Sequence, residues 1–234
     1  MNYFAHGFRF TDRPYFLVGT ALPDLLSAVD RGVRLRGRRV SPFAEASGGD
    51  EAELAAGVLQ HLADDQWFHD THAFLEVSGE LTRLFRTLLG ADDGFRPGFL
   101  GHITTELLLD AVLIERDPGH LDRYYEAVAN VDPRFVEETV NRMAKVPTDQ
   151  VARFLPVFVE IQFLRDYVRS DRLLFRLNQV MRRVRLKPLP DETTSLLDVA
   201  RTLVETRADE LLPDARATSD AAGFHDGQLT SENR

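Results

Sequence analysis

The chain has 234 residues, 44% hydrophobic and 28% charged, with a formal net charge of -9 and no cysteine. That length suits one domain, at most two, with a core that needs no covalent staples. Without cysteine there are no disulfides, thiolate metal sites or cysteine nucleophile, so any metal must be held through nitrogen and oxygen. The acidic balance argues against general nucleic-acid binding, which depends on Lys and Arg neutralising phosphates.

The N-terminus MNYFAHGFRF lacks a basic region followed by a sustained apolar one, and no run approaches the roughly 18 unbroken apolar residues of a membrane span. The expectation is a cytoplasmic protein without a membrane span. Basic residues gather at Arg31, Arg34, Arg36, Arg38 and Arg39, and again between Arg169 and Lys187. Such runs ordinarily form solvated faces.

Periodicity is helical almost throughout, which predicts an all-α fold. The first helix is expected over 2–10 and the second over 15–29, interrupted or kinked at Pro23. The Arg-rich stretch and SPFAEASGGD read as loop. Asp50 with Glu53 resembles a capping box opening a helix to about Val77, after which Ser78 caps a helix ending at Gly90. Asp92, Asp93 and Gly94 make a turn before a helix from Pro97 to Ile114. Asp117-Pro118 and Asp132-Pro133 are cap-then-proline starts of two more helices. Another begins near Thr148, with a kink candidate at Pro156. An amphipathic helix over 170–186 stops at KPLPDE, and a last one covers 194–212. We thus expect one domain over 1–212 and a disordered tail over 213–234.

Two segments carry chemistry. His61, Asp65 and His69 are spaced four apart and His72 follows, all within an arc of roughly 80° on an ideal helix. His102, Glu106 and Asp110 repeat the spacing on a helix that is apolar nearly all round, and is therefore expected to be buried. Two buried carboxylates there cost several kcal/mol unless paired or bound to a cation. No Lys or Arg lies within the helix to pair them. Imidazole nitrogen with carboxylate oxygen suits a first-row divalent ion, and several carboxylates permit more than one.

The opening Met1-Asn2-Tyr3-Phe4-Ala5-His6, Gly19 and Asp24 in GTALPD, His61-x3-Asp65 and the pair Glu106 and Asp110 together resemble the bacterial acyl carrier protein phosphodiesterase family. That family is helical, resembles HD-domain metallohydrolases, and uses a divalent metal, typically manganese, to release phosphopantetheine. The same residues resemble the zinc-dependent phospholipase C and single-strand nuclease superfamily. There, His61, Asp65, His69 or His72, His102 and Glu106 would stand at metal-ligand positions, and in both families His6 and Asp24 would complete the set. The resemblance covers roughly the first 120 residues, and Phe8 departs from it where the carrier-protein enzymes tend to repeat a His.

It implies an HD-domain or phospholipase C-like helical bundle acting as a metal-dependent phosphoric diester hydrolase, with Zn or Mn as cofactor. Its substrate would be a small phosphodiester or an acidic carrier protein. Asp70 or Asp110 would orient the water or a ligating His. Arg34, Arg38 and Arg39 would clamp the phosphate, since guanidinium matches phosphate oxygens bidentately. The alternative is a non-catalytic helical module with a structural metal or polar core. It would bind a partner protein through the stripe Leu173, Leu174, Leu177 and Val180.

Overall fold

The computed structural model of the protein describes residues 1–46, 48–90 and 93–213. Every regular element among them is helical. In chain order the α-helices are α1 (Tyr3–Gly7), α2 (Pro14–Val29), α3 (Gly37–Ala44), α4 (Asp50–Asp70), α5 (His72–Leu89), α6 (Pro97–Arg116), α7 (Pro118–Ala129), α8 (Pro133–Met143), α9 (Val151–Ile161), α10 (Ser170–Arg183) and α11 (Thr193–Leu211). Short 3-10 segments cover Phe8–Phe10, Asp93–Phe95 and Phe163–Val168. The all-α expectation holds, with one hydrophobic core running from Met1 to Leu211. Of the tail expected over 213–234, all but Pro213 lies outside the described residues.

The predicted α6 start is found, with Pro97 at its first turn. The Asp-Pro starts also hold: Asp117 accepts from the His120 N–H and Asp132 from the Arg134 N–H. These motifs are legible because the cap and the fixed proline φ act within one turn of chain.

Four local expectations are corrected. The segment read as loop contains α3, because Val40 is fully buried and the helix packs on α4 and α8. That tertiary anchor outweighs the unfavourable Pro42. Glu53 does not close a capping box: Gly49 stands at the N-cap without a side-chain bond, and Glu53 pairs with Arg13 at 2.8 Å. Finally, the helix expected over 50–77 breaks at Thr71, whose backbone is extended (φ −72°, ψ 144°). Thr71 Oγ1 donates to the Phe68 carbonyl at 2.8 Å and accepts from the Phe74 N–H at 3.3 Å, so it caps α5. Ser78, expected to cap a helix, sits inside α5.

α6 occupies the middle of the molecule, packed against α1, α5, α7, α11 and the 3-10 segment Phe163–Val168. Its length and hydropathy would also suffice for a membrane span, and 72% of its most apolar 18-residue window is buried within the protein. On α10, Leu173, Leu174 and Leu177 are buried and Val180 is partly so. The stripe expected to dock a partner therefore serves the protein's own packing.

α2 and α4 form the other structural centre, and two glycines set their separation. A Cβ on Gly19 would lie 2.2 Å from the Leu54 carbonyl oxygen, and one on Gly57 would lie 2.0 Å from that of Phe16. Backbones this close leave no room for any side chain. The contact fixes Asp24, five residues beyond Gly19, near His61 and Asp65, four and eight residues beyond Gly57. Gly57→Ala is expected to lower unfolding free energy by about 1–3 kcal/mol through overpacking. Gly79→Ala, in α5 with open space around its Cβ position, should raise stability by up to about 1 kcal/mol through helix propensity. Urea unfolding of both variants checks the pair; equal effects would show that the close approach is dispensable.

Candidate metal centre

The N-terminal segment is fixed first. Asp110 on α6 is fully buried, and it accepts from the Phe4 and Ala5 N–H groups at 3.1 and 2.8 Å and from Asn2 Nδ2 at 2.9 Å. Phe4 and Ala5 lie in the first turn of α1, where N–H groups have no intrahelical acceptor. A carboxylate from a distant helix thus does the work of an N-cap. Burial pushes the Asp110 carboxyl up to about 7, against the pull of the three donors. The bonds set the position of α1, and α1 carries His6.

Six of the seven residues of the expected ligand set fall into two groups, and the seventh, Asp24, is in neither. His6, His61 and Asp65 offer ligand atoms within 4.8 Å of one another, and so do His69, His102 and Glu106. In the first group, His6 Nε2 lies 3.2 Å from Asp65 Oδ1, and His61 Nε2 lies 3.4 Å from Asp65 Oδ2. The two imidazoles stack with centroids 3.9 Å apart. His61 Nδ1 is 2.8 Å from the Thr20 carbonyl; since a carbonyl only accepts, Nδ1 carries a proton, and Nε2 is the ring nitrogen turned to the site. A backbone carbonyl holding the far ring nitrogen is the usual support of a metal-ligating histidine.

In the second group, His69 Nε2 and His102 Nε2 converge on Glu106 Oε1 at 2.9 and 3.2 Å. Phe74 flanks both rings, with centroids at 4.9 and 5.0 Å. The sequence spacing put His61, Asp65, His69 and His72 on one face of one helix. Instead His69, two turns beyond His61, reaches α6, and the break at Thr71 carries His72 away. His72 is exposed and faces Glu76 at 3.4 Å.

The Met1 α-ammonium lies between the groups, 2.8 Å from Asp65 Oδ1 and 3.2 Å from Glu106 Oε1. Burial would raise the Asp65 carboxyl, but the His6 and His61 imidazoles and the Met1 charge hold it well below the usual carboxylate range. Glu106 is likewise pushed up by burial, yet Met1, His102 and His69 bring it down to about 2. Both acids are therefore ionised at neutral pH.

Asp24 stands beside the first group. Its Oδ2 is shut off from solvent with no hydrogen-bond partner among the described residues. Burial raises its carboxyl against the opposing pull of His61 and His6. Asp24, His61 and Asp65 line a cleft of about 200 Å³ together with Arg34. Of the other arginines expected at the phosphate, Arg39 donates to the Ala144 carbonyl at 3.1 Å, and Arg38 is exposed and outside that cleft. Asp70 is exposed at the end of α4 and belongs to neither group.

Three participants escaped the sequence reasoning. Asp64 is buried with Oδ2 3.5 Å from His6 Nδ1, and Gln60 Nε2 donates to its other oxygen at 2.7 Å. Its one signal was i+3 spacing from His61. Asn2 and the Met1 amine reach the site only because Asp110 draws the segment in, which no local pattern encodes. No family model, curated protein or solved structure matches this chain.

The fit of a metal to the first group rests on His6. Its side chain is fully buried, and although Nε2 stands 3.2 Å from Asp65 Oδ1 and Nδ1 3.5 Å from Asp64 Oδ2, neither ring nitrogen has a hydrogen bond of good geometry among the described residues. Buried polar atoms are ordinarily satisfied. An imidazole without such a partner, facing Asp64, Asp65 and His61, has the donor set of a divalent N/O site.

Asp110→Asn should lower stability by about 1–3 kcal/mol for each donor left without an acceptor, as read by urea unfolding; an unchanged midpoint would remove Asp110 from its anchoring role. For Glu106 the folded carboxyl titrates near 2 and the unfolded one near 4.5. Its contribution is thus present above pH 4.5 and is lost as pH falls toward 2. In chelator, Glu106→Gln should show a shallower loss of stability between pH 4.5 and 3 than wild type; parallel profiles would mean that Glu106 has no ionic partners.

Proposed function

We propose that this protein is a metal-dependent phosphoric diester hydrolase with Zn or Mn at the His and carboxylate groups, more than one ion being accommodated. The observation that carries the reading is the fully buried His6 imidazole, which lacks a hydrogen bond of good geometry among the described residues and converges with His61 on an ionised Asp65. When bound, a divalent ion there supplies Lewis-acid stabilisation of phosphoryl charge and acidifies water.

The protein's own residues have separate tasks. His6, His61 and Asp65 form one ligand set, with Asp24 beside it, and His69, His102 and Glu106 form the other. Thr20 fixes the tautomer of His61 through its carbonyl. Arg34 borders the same cleft as His61 and Asp65, so its guanidinium is the phosphate clamp of this reading. Asp110 is a positioning residue that acts through α1 and His6. The resemblance to acyl carrier protein phosphodiesterases and zinc-dependent phospholipases points to the same reaction class. A small phosphodiester and an acidic carrier protein are the two substrates it suggests.

Elemental analysis of protein purified without chelator is expected to find Zn or Mn. EDTA should lower the melting temperature, because a ligand bound only to the native state stabilises it by mass action. Glu106→Gln should bind metal more weakly and lose most of that EDTA sensitivity. Bis(p-nitrophenyl) phosphate should be hydrolysed by the loaded protein, and Arg34→Ala should raise KM about tenfold or more, the loss of roughly one charge-assisted contact. Protein that is metal-free, cannot be loaded and melts identically with EDTA would overturn the proposal.

A further inference from the structure

A second cavity, larger than the cleft at His61, shares only Asp24 and Ser27 with that cleft. It encloses about 510 Å³ between α2, α6, α9, α10 and the 3-10 segment Phe163–Val168. That is within the range of roughly 300–1,000 Å³ typical of small-molecule sites. Its wall is largely hydrocarbon, with Phe99, Ile103 and Leu107 from α6, Phe154 and Phe158 from α9, and Phe163. Val157 and Ile161, also lining it, are 39% and 54% exposed. The apolar lining therefore continues out to the surface.

The polar groups in the wall are few; one is Asp24, shared with the cleft at His61, whose buried Oδ2 has no hydrogen-bond partner among the described residues, and most of the others are engaged. Asn2 Nδ2 donates to Asp110 and lies 3.4 Å from the Tyr167 hydroxyl as a second acceptor. A ligand with a polar body would leave its own donors and acceptors unsatisfied here, at about 1–3 kcal/mol each. A plain hydrocarbon chain would not.

Charge selects the other end of the ligand. Arg31, Arg182 and Arg183 line the cavity and are exposed. None of the three has a carboxylate within ion-pair distance among the described residues, although the chain is acidic overall. Arg176, in the same wall, is by contrast taken up by Asp166. Three guanidinium groups without carboxylate partners beside an apolar cavity suit a planar anion, which each can hold by two parallel hydrogen bonds.

We propose that this cavity binds a single-chain aliphatic carboxylate, with the chain among the phenylalanines and the carboxylate held by Arg31, Arg182 and Arg183. The site needs no metal, so it stands or falls separately from the hydrolase reading.

Isothermal titration of the full chain with laurate, dodecanol and butyrate tests it, in chelator and at laurate concentrations below micelle formation. Laurate should bind at least tenfold more tightly than butyrate. The double variant Arg182→Ala/Arg183→Ala should weaken laurate at least tenfold and leave dodecanol within twofold. Ala28→Phe, which places a ring into the cavity from α2, should weaken laurate and dodecanol alike. Val180→Phe, from α10, provides the same obstruction should Ala28→Phe fail to fold by circular dichroism. Laurate that binds no better than butyrate would overturn the proposal, as would binding unaffected by either obstruction. Association with anionic phospholipid vesicles but not with monomeric laurate would also overturn it, in favour of a membrane-surface patch.

Discussion

A carboxylate in the interior of an apolar helix must find donors, and Asp110 finds them in the first turn of α1. Those N–H groups would otherwise face the core with no acceptor, so two deficits cancel at one place. The bond set ties the first residues of the chain to the central helix. It brings His6 against His61 and Asp65, and it places the Met1 amine between Asp65 and Glu106. That anchor is what holds His6 of α1 against His61 and Asp65 of α4.

The second constraint is steric. Gly19 and Gly57 let α2 and α4 meet backbone to backbone, and the residues one to two turns further on inherit that proximity. The Thr20 carbonyl and the Asp24 carboxylate come from one helix, and His61 and Asp65 from the other. A glycine pair on one side and a buried acid on the other thus give a rigid frame around groups that would repel or be desolvated at a cost if they stood alone.

Electrostatics follows from that frame. Acids that burial alone would drive toward the neutral form are divided by their neighbours. Asp65 and Glu106, with imidazoles and an ammonium nearby, remain charged, whereas Asp24 and Asp110 are raised. Carboxylates in one small region held at such different affinities for protons are characteristic of sites that bind cations or move protons. The apolar cavity across the Asp24 wall has the opposite character, hydrocarbon edged with arginine. The molecule therefore sets two chemically distinct recesses side by side.

The sequence by itself determined what depends on neighbours within a turn or two. The helical period, the Asp-Pro starts and the buried character of the His102-Glu106-Asp110 helix could all be read from spacing. So could His61, Asp65, His69, His102 and Glu106 as metal-binding candidates, since few side chains can hold a divalent ion and cysteine is absent, whereas His6 and Asp24 were suggested only by the resemblance. Tertiary structure decided how they are grouped. Spacing placed His69 on the face of His61, but whether it bonds within that face or across to α6 depends on where the neighbouring helix lies. The break at Thr71 was hidden because the apolar pattern of α4 runs on into α5 without a change of period. Helix α3 was hidden because its stability comes from Val40 inserted under α4 and not from its Arg-rich, proline-containing sequence. The anchoring role of Asp110 was out of reach for the same reason: its partners lie more than a hundred residues away along the chain.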